Sequence, residues 1–262
     1  MKVQVLLENT SLNEDLKAEH GLSLYIETDK RKILFDMGQT EAFADNAEEM
    51  GIDLSQVDIA ILSHGHYDHG GGLRRFMEIN HKATIYLNHH AFLPYYNGTE
   101  KYIGLDQELK QSNRFVFVDD LLEIEDGITL CSCNQKMRPF SFSHFGLMKK
   151  EDDRLVPDDF RHEQYLLIQE AGKKVLLSGC SHKGILNIMN WLKPDVLIGG
   201  FHFSKMDCAQ DSEALWFAAK TLQGYLAKYF TGHCTGEAQY AFLKEILGDQ
   251  LECLGTGMEF IV

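Results

Sequence analysis

The sequence predicts an α+β fold in which helices pack on the outside of β-sheets. Short apolar runs of strand length recur along the whole chain, and in the second half they alternate with segments of helical spacing. With only four prolines, and with no low-complexity stretch, internal repeat or linker, the pattern reads as one continuous domain over residues 1–262.

The first third is strand-rich. Val3 to Leu7, Leu22 to Thr28 and Lys32 to Phe35 are rich in Val, Ile, Leu and Tyr and are bounded by polar or glycine turns. Thr40 to Met50 carries Ala and Phe at helical spacing and stops at Gly51. Val57 to Leu62 has the apolar run of a buried strand and leads into His64. Further on, Gln164 to Gln169 and Lys174 to Leu177 read as paired strands joined by a turn at Ala171-Gly172. Ile185 to Leu192 follows as a helix, Val196 to Ile198 as a strand, and Ser212 to Ala227 as a long amphipathic helix. A strand at Lys228 to Phe230 and a helix at Ala238 to Leu247 complete the series. Asn97 to Phe160 shows no clear period, and its charged stretch Lys149 to Asp159 reads as an exposed loop of the kind that covers active sites.

Charge and composition exclude several function classes. Lys and Arg number 25 against 39 Asp and Glu, a net charge of −14, whereas nucleic-acid and membrane-surface binding both call for basic clusters. No apolar run reaches the roughly 18–20 residues that span a bilayer. The N-terminal run turns polar after Leu7, too short for a signal-peptide core, so a cytoplasmic location is the expectation. In that setting the six cysteines are expected to be reduced thiols, most of them packing residues. A small-molecule substrate is the expected partner; oligomeric state has no signature.

The chemistry concentrates in Ser63-His64-Gly65-His66-Tyr67-Asp68-His69-Gly70-Gly71-Gly72. Four ligand-type residues fall within six positions, between a buried strand and a glycine run. Imidazole and carboxylate suit zinc, and equally iron or manganese. Alternation at 64 and 66 lets two imidazoles face the same way from extended backbone. Asp68 and His69 lie on the following turn, within reach of a neighbouring metal. Two metals need more ligands than these, and three later segments repeat one plan: a short apolar strand, a glycine, then a ligand-type residue. They end in Gly179-Cys180-Ser181-His182, Gly199-Gly200-Phe201-His202 and Gly232-His233-Cys234. Asp36, in Leu34-Phe35-Asp36-Met37-Gly38, has a similar setting and is expected to orient a ligating histidine from behind.

His64-x-His66-x-Asp68-His69 resembles the metal motif of the metallo-β-lactamase fold superfamily, with Asp36 matching its first motif and His233 its last histidine. Glu19-His20-Gly21-Leu22-Ser23, Gly179-Cys180-Ser181-His182, Gly199-Gly200-Phe201-His202 and His233-Cys234-Thr235-Gly236 extend the likeness to the dihydropteroate synthase-like branch. The resemblance implies a four-layer αββα sandwich with its site at one sheet edge. It also implies a metal-dependent hydrolase or group-transfer enzyme with a dinuclear site and a metal-activated water. Archaeal members are associated with joining a dihydropterin to ribofuranosylaminobenzene phosphate, so a pterin or a phosphorylated small molecule is the implied substrate class.

Two departures stand out. Cys180 occupies a place where many members carry a bridging Asp, and of Cys180 and His182 the reading favours His182 as the ligand. The histidine usual between the two halves of the motif set has no clear counterpart: His144 and His162 fall in that interval without the glycine-rich context, and His182 can fill the vacancy. The expected metal set is therefore His64, His66, Asp68, His69, His182 and His233, with Cys180 as the alternative. Two divalent cations are implied, zinc first, iron or manganese otherwise. Asp68 and His202 are the expected catalytic residues, and His20 and His89 candidates for the substrate rim. A diiron redox protein is the rival reading, weakened by His66 standing where flavodiiron proteins place Glu and by the lack of a flavodoxin domain.

Overall fold

Side chains along the strands alternate between the two faces of each sheet, and that alternation separates three apolar layers. The computed structural model describes all 262 residues. Ile33, Phe35, Ile59 and Ile61 on one sheet pack with Val175, Leu177, Val196 and Ile198 on the other, forming the central layer. The intervening Leu34 and Ala60 turn outward onto Phe43 and Phe76 of the first helices. Leu176, Leu197 and Tyr229 likewise turn outward onto Ile188, Leu222 and Leu243 of the later helices. The result is the αββα sandwich, with each sheet buried on both faces.

The first sheet runs in the order Glu259–Ile261, Lys2–Leu7, Ser23–Glu27, Lys32–Phe35, Ile59–Ile61, Thr84–Asn88 and Phe115–Val118. The second runs Leu251–Cys253, Lys228–Thr231, Val196–Ile198, Lys173–Leu177, Tyr165–Glu170, Ile128–Cys131 and Leu121–Glu125. Each combines antiparallel neighbours with a parallel set: Lys32–Phe35 through Phe115–Val118 in the first, and Lys173–Leu177 through Leu251–Cys253 in the second. Parallel strands deliver their C-terminal ends to one edge, and the candidate site residues follow those ends.

The helices sit close to the sequence expectation, at Ala42–Glu49, Ile185–Leu192, Ser212–Gly224 and Glu237–Leu247. The long one ends at Gly224 rather than Ala227, because Tyr225 is already extended. The Ala171-Gly172 turn is present with both residues at positive φ, the geometry that follows the twist of the paired strands. No helix is long and apolar enough to cross a membrane. All six cysteines are free thiols.

One expectation fails. Lys149 to Asp159 is not an exposed loop: Leu147–Glu151 and Arg154–Pro157 form a hairpin, turning at Asp152 and Asp153 in left-handed conformation. With Tyr95–Asn97 and Lys101–Tyr102 they make a third, four-stranded sheet. Its charged composition conceals an alternation in which Leu147 and Lys149 point inward. The buried Lys149 ammonium is held by Glu151 at 2.6 Å and Asp159 at 2.9 Å. Tyr95, Ile103, Leu147 and Phe160 form this sheet's own apolar cluster.

Asn46 joins the first outer helix to the N-terminal loop that leads to the site. Its Nδ2 donates to the carbonyls of Leu6 and Lys17, and its Oδ1 accepts from the Lys17 amide. Asn46→Ala leaves those groups unpaired and is expected to cost about 1–3 kcal/mol. Urea unfolding measures it; a change under about 0.5 kcal/mol would mean that the loop rearranges to satisfy them.

Candidate metal centre

The structure gathers all the expected ligands, Cys180 included, into two adjoining clusters. The donor atoms of His64, His66 and His182 lie within 4.8 Å of one another, as do those of Asp68, His69, Cys180 and His233. All seven residues are buried. Cys180 and His182, rivals on the sequence, therefore face different clusters. The loop between strand and helix is tightly set: a side chain at Gly65 would meet the Ala91 carbonyl at 2.1 Å, and one at Gly71 the Gln39 carbonyl at 2.0 Å.

Hydrogen bonds behind the rings determine which nitrogen carries the proton. Asp36 Oδ2 takes His69 Nδ1–H at 2.6 Å and the Ser63 hydroxyl at 2.7 Å, while Asp36 Oδ1 takes the Ser63 amide at 2.7 Å. Because the Ser63 hydroxyl donates to Asp36, it accepts from His64 Nδ1, 2.8 Å away. Asn9 acts in the same way on His233: its Oδ1 accepts from the Gly21 amide at 3.2 Å and from His233 Nδ1 at 2.9 Å. In the neutral rings of His64, His69 and His233 the free lone pair is thus on Nε2, facing inward.

Those inward atoms lie close to further ligand-type atoms. His69 Nε2 lies 3.1 Å from His233 Nε2 and 3.1 Å from Cys180 Sγ. His64 Nε2 lies 3.3 Å from His182 Nε2. His66 Nε2 is buried with no hydrogen-bond partner. With these rings neutral their Nε2 lone pairs converge in a buried space, and the imidazole, carboxylate and thiol groups match a divalent metal.

The electrostatics agree. Burial, reinforced by neighbouring histidines, lowers His64 and His182 well below the usual imidazole range and brings His66 down to about 3. These rings are neutral and ready to ligate. Burial opposes charge on His69 too, but Asp36 and Asp68 outweigh it and raise this ring to about 9. A proton there supplies the positive charge that a metal otherwise would. Burial favours neutral Asp68 as well, yet the neighbouring His69, His20 and His233 rings hold it well below the usual carboxylate range.

The remaining expected residues divide. His202 lies beside the clusters, its ring 4.3 Å from that of His182. His20 is half exposed at the rim, with Nε2 3.4 Å from Asp68 Oδ2 and its ring 4.7 Å from that of His233. His89 is not brought into the clusters; it pairs with Asp119 and stacks on Phe117. His144 accepts from the Gly146 amide on its own loop. His162 is buried beside His66 but is occupied otherwise: Nδ1 accepts from the Gly65 amide at 2.8 Å and Nε2 donates to Asp158 at 2.9 Å.

Several residues that shape the site had no sequence signal. Glu163 accepts from the amides of His182 and Lys183 and from the Tyr165 hydroxyl, fixing the turn that carries His182. The buried Lys183 ammonium donates to the carbonyls of Ser132 and Glu163. Asn9, Ser63, Asp158 and Glu163 are common residue types in unremarkable contexts; only the four-residue spacing of Asp158 and His162 hinted at a pair.

Next to His182 and His202 a cavity of about 350 Å³ opens, walled by Phe140, Phe142, Phe145, Phe203 and Phe217. It presents aromatic faces within reach of the imidazoles.

Asp36→Asn removes the charge that orients His69 and, through Ser63, His64. Zinc affinity is expected to fall about 10–100-fold with the fold intact. Competition with a chromogenic chelator reads the affinity and far-ultraviolet circular dichroism the fold; unchanged affinity would show that Asp36 has no part in ordering the rings.

Comparison with known proteins agrees with the fold. Residues 16–217 match the model of the metallo-beta-lactamase superfamily. The 7,8-dihydropterin-6-methyl-4-(beta-D-ribofuranosyl)-aminobenzene-5'-phosphate synthase of Methanocaldococcus jannaschii is 30% identical over 95% of this chain and 92% of its own. A second protein of that archaeon, MJ0448, is 30% identical over 76% of this chain and 78% of its own. Among solved structures, Tm1679, described as a metal-dependent hydrolase of the beta-lactamase superfamily, superposes with a TM-score of 0.86 at 26% identity, covering 100% of this chain and 99% of its own. With the sandwich, the clustered ligands and a match over most of its length, the chain belongs to the metallo-β-lactamase superfamily.

Proposed function

We propose that this protein is a two-metal enzyme that performs hydrolysis or group transfer on a small molecule bearing a flat ring, a pterin of the dihydropteroate synthase-like branch foremost. The observation that carries the two-metal reading is the convergence of Nε2 of His64, His69 and His233 with further ligand-type atoms in two adjoining buried clusters. His64, His66 and His182 would hold one cation; Asp68, His69, Cys180 and His233 the other. Two bound divalent cations would lower the pKa of a coordinated water and polarise the acceptor group of the substrate.

The chain supplies the rest. Asp68, kept ionised, accepts the proton that the water gives up, and His20 beside it reaches solvent. Asp36 and Asn9 hold the rings in their ligating tautomers, so little reorganisation is needed during reaction. The aromatic cavity binds the ring system by stacking and apolar burial, with His202 at its inner wall to contact a polar group of the substrate. The synthase relative favours a pterin over other ring systems, since it is named for a dihydropterin joined to an aminobenzene ribofuranosyl phosphate. A phosphorylated substrate is compatible with the same chemistry.

Protein purified anaerobically without chelators is expected to carry about two equivalents of zinc or manganese by elemental analysis. His66→Ala or His182→Ala should each remove one equivalent and spare the second. One equivalent in the unmodified protein, or full occupancy in both variants, would overturn the two-cluster assignment; two equivalents of iron would instead favour redox chemistry.

Phe142→Ala is expected to weaken binding of a reduced pterin about 5–10-fold, the loss of one stacking face, when followed by quenching of pterin fluorescence. Equal binding in the variant and the unmodified protein would place the ring elsewhere.

A further inference from the structure

Beyond the two proposed cations, the structure holds a third set of donors that neither cluster uses in full. Cys180 Sγ, Cys234 Sγ and a ring nitrogen of His202 lie within 4.8 Å of one another. Cys180 follows the Lys173–Leu177 strand, His202 the Val196–Ile198 strand and Cys234 the Lys228–Thr231 strand, so three neighbouring parallel strands each deliver one donor. Both cysteines are buried and neither is in a disulfide.

Two features mark the set as more than packing. Both ring nitrogens of His202 are buried without a hydrogen-bond partner, an unfavourable state for a polar ring unless a ligand completes it. His202 also sits at φ +58°, a left-handed conformation uncommon for a residue with a side chain. In addition, Gly200 leaves room for the sulfur: a Cβ there would lie 2.3 Å from Cys234 Sγ.

We propose that Cys180, Cys234 and His202 form a binding site for a single soft or borderline cation, of the class of zinc, cadmium or copper(I). Two thiolates and one imidazole select such ions over magnesium, calcium or manganese, which prefer oxygen donors. For a divalent ion the charges balance: two thiolates offset the cation, and binding breaks two S–H bonds and releases two protons to the buffer. The His202 ring also lines the adjoining cavity. Because Cys180 also faces Asp68, His69 and His233, a cation here either shares that sulfur with the second cluster or draws it away. The site thus gives a thiophilic metal a place to compete with the working pair, and it rests on the two-cluster reading only through this shared sulfur.

The test uses the full chain with the exposed Cys253 and the partly exposed Cys208 replaced by Ser, so that neither surface thiol contributes. Cadmium is titrated while the ultraviolet thiolate-to-cadmium charge-transfer band is recorded, and X-ray absorption on the loaded protein counts sulfur neighbours. Two sulfurs per cadmium, and a band that falls by about half in Cys234→Ser, support the site. One sulfur and an unchanged band in Cys234→Ser mean that only Cys180 binds, within the second cluster; the third site is then overturned while the two-cluster reading stands. His66→Ala should leave the band untouched; its loss would mean that the band arises elsewhere, and would overturn the assignment. If cadmium does not bind and the purified protein retains no metal, both readings fail together. The sulfur count comes from the Cys208→Ser/Cys253→Ser protein itself, so the question stays answerable even if Cys234→Ser does not fold.

Discussion

The carboxylate of Asp36 organises this site more than any presumptive ligand does. Fully buried at the end of a central strand, it accepts from the Ser63 amide, the Ser63 hydroxyl and His69 Nδ1. Through that hydroxyl it also settles the tautomer of His64. Two rings, one from each cluster, are therefore turned lone pair inward by one acid. Removing its charge changes both clusters while touching no metal. Asn9 repeats the device for His233 from the opposite side, with the Gly21 amide settling which end of the Asn9 amide accepts.

The fold is arranged to bring such residues to one edge. Two sheets each carry a run of parallel strands, and the turns that follow them hold Asp36, the His64 to His69 loop, Cys180 with His182, His202 and His233. Buried strands can be uniformly apolar because helices cover the outer faces, so polar chemistry is confined to the strand ends. The third sheet then contributes from outside: Asp158 and His162, just beyond its last strand, hold the Gly65 amide and close one side of the histidine cluster. Phe160 stacks on His182 from the same segment.

Electrostatically the site is divided. His64, His66 and His182 are kept neutral by burial and by one another, whereas His69, between two carboxylates, is raised to about 9. Negative charge is concentrated at Asp68 and Asp36, and the three-histidine cluster contributes only neutral donors. The two clusters thus differ in charge, and on Coulombic grounds the one with Asp68 would hold a cation more strongly.

Much of this was legible in the sequence because it is local. Short apolar runs marked the central strands, glycines marked their ends, and four ligand-type residues within six positions marked the metal loop. The recurring strand, glycine and ligand plan also pointed to Cys180, His182, His202 and His233. What escaped was set by partners distant along the chain. Asn9 meets His233, His162 meets Gly65, and Glu163 meets His182, in each case through a hydrogen bond of a residue type too common to stand out. The Lys149 hairpin escaped because a buried lysine reads as exposed until Glu151 and Asp159 are seen to neutralise it. Sequence alone determined which side chains can ligate and which segments deliver them. Only tertiary structure decided that Cys180 and His182 face different clusters and which nitrogen of each ring is free, since those follow from hydrogen bonds that exist only once the two sheets have met.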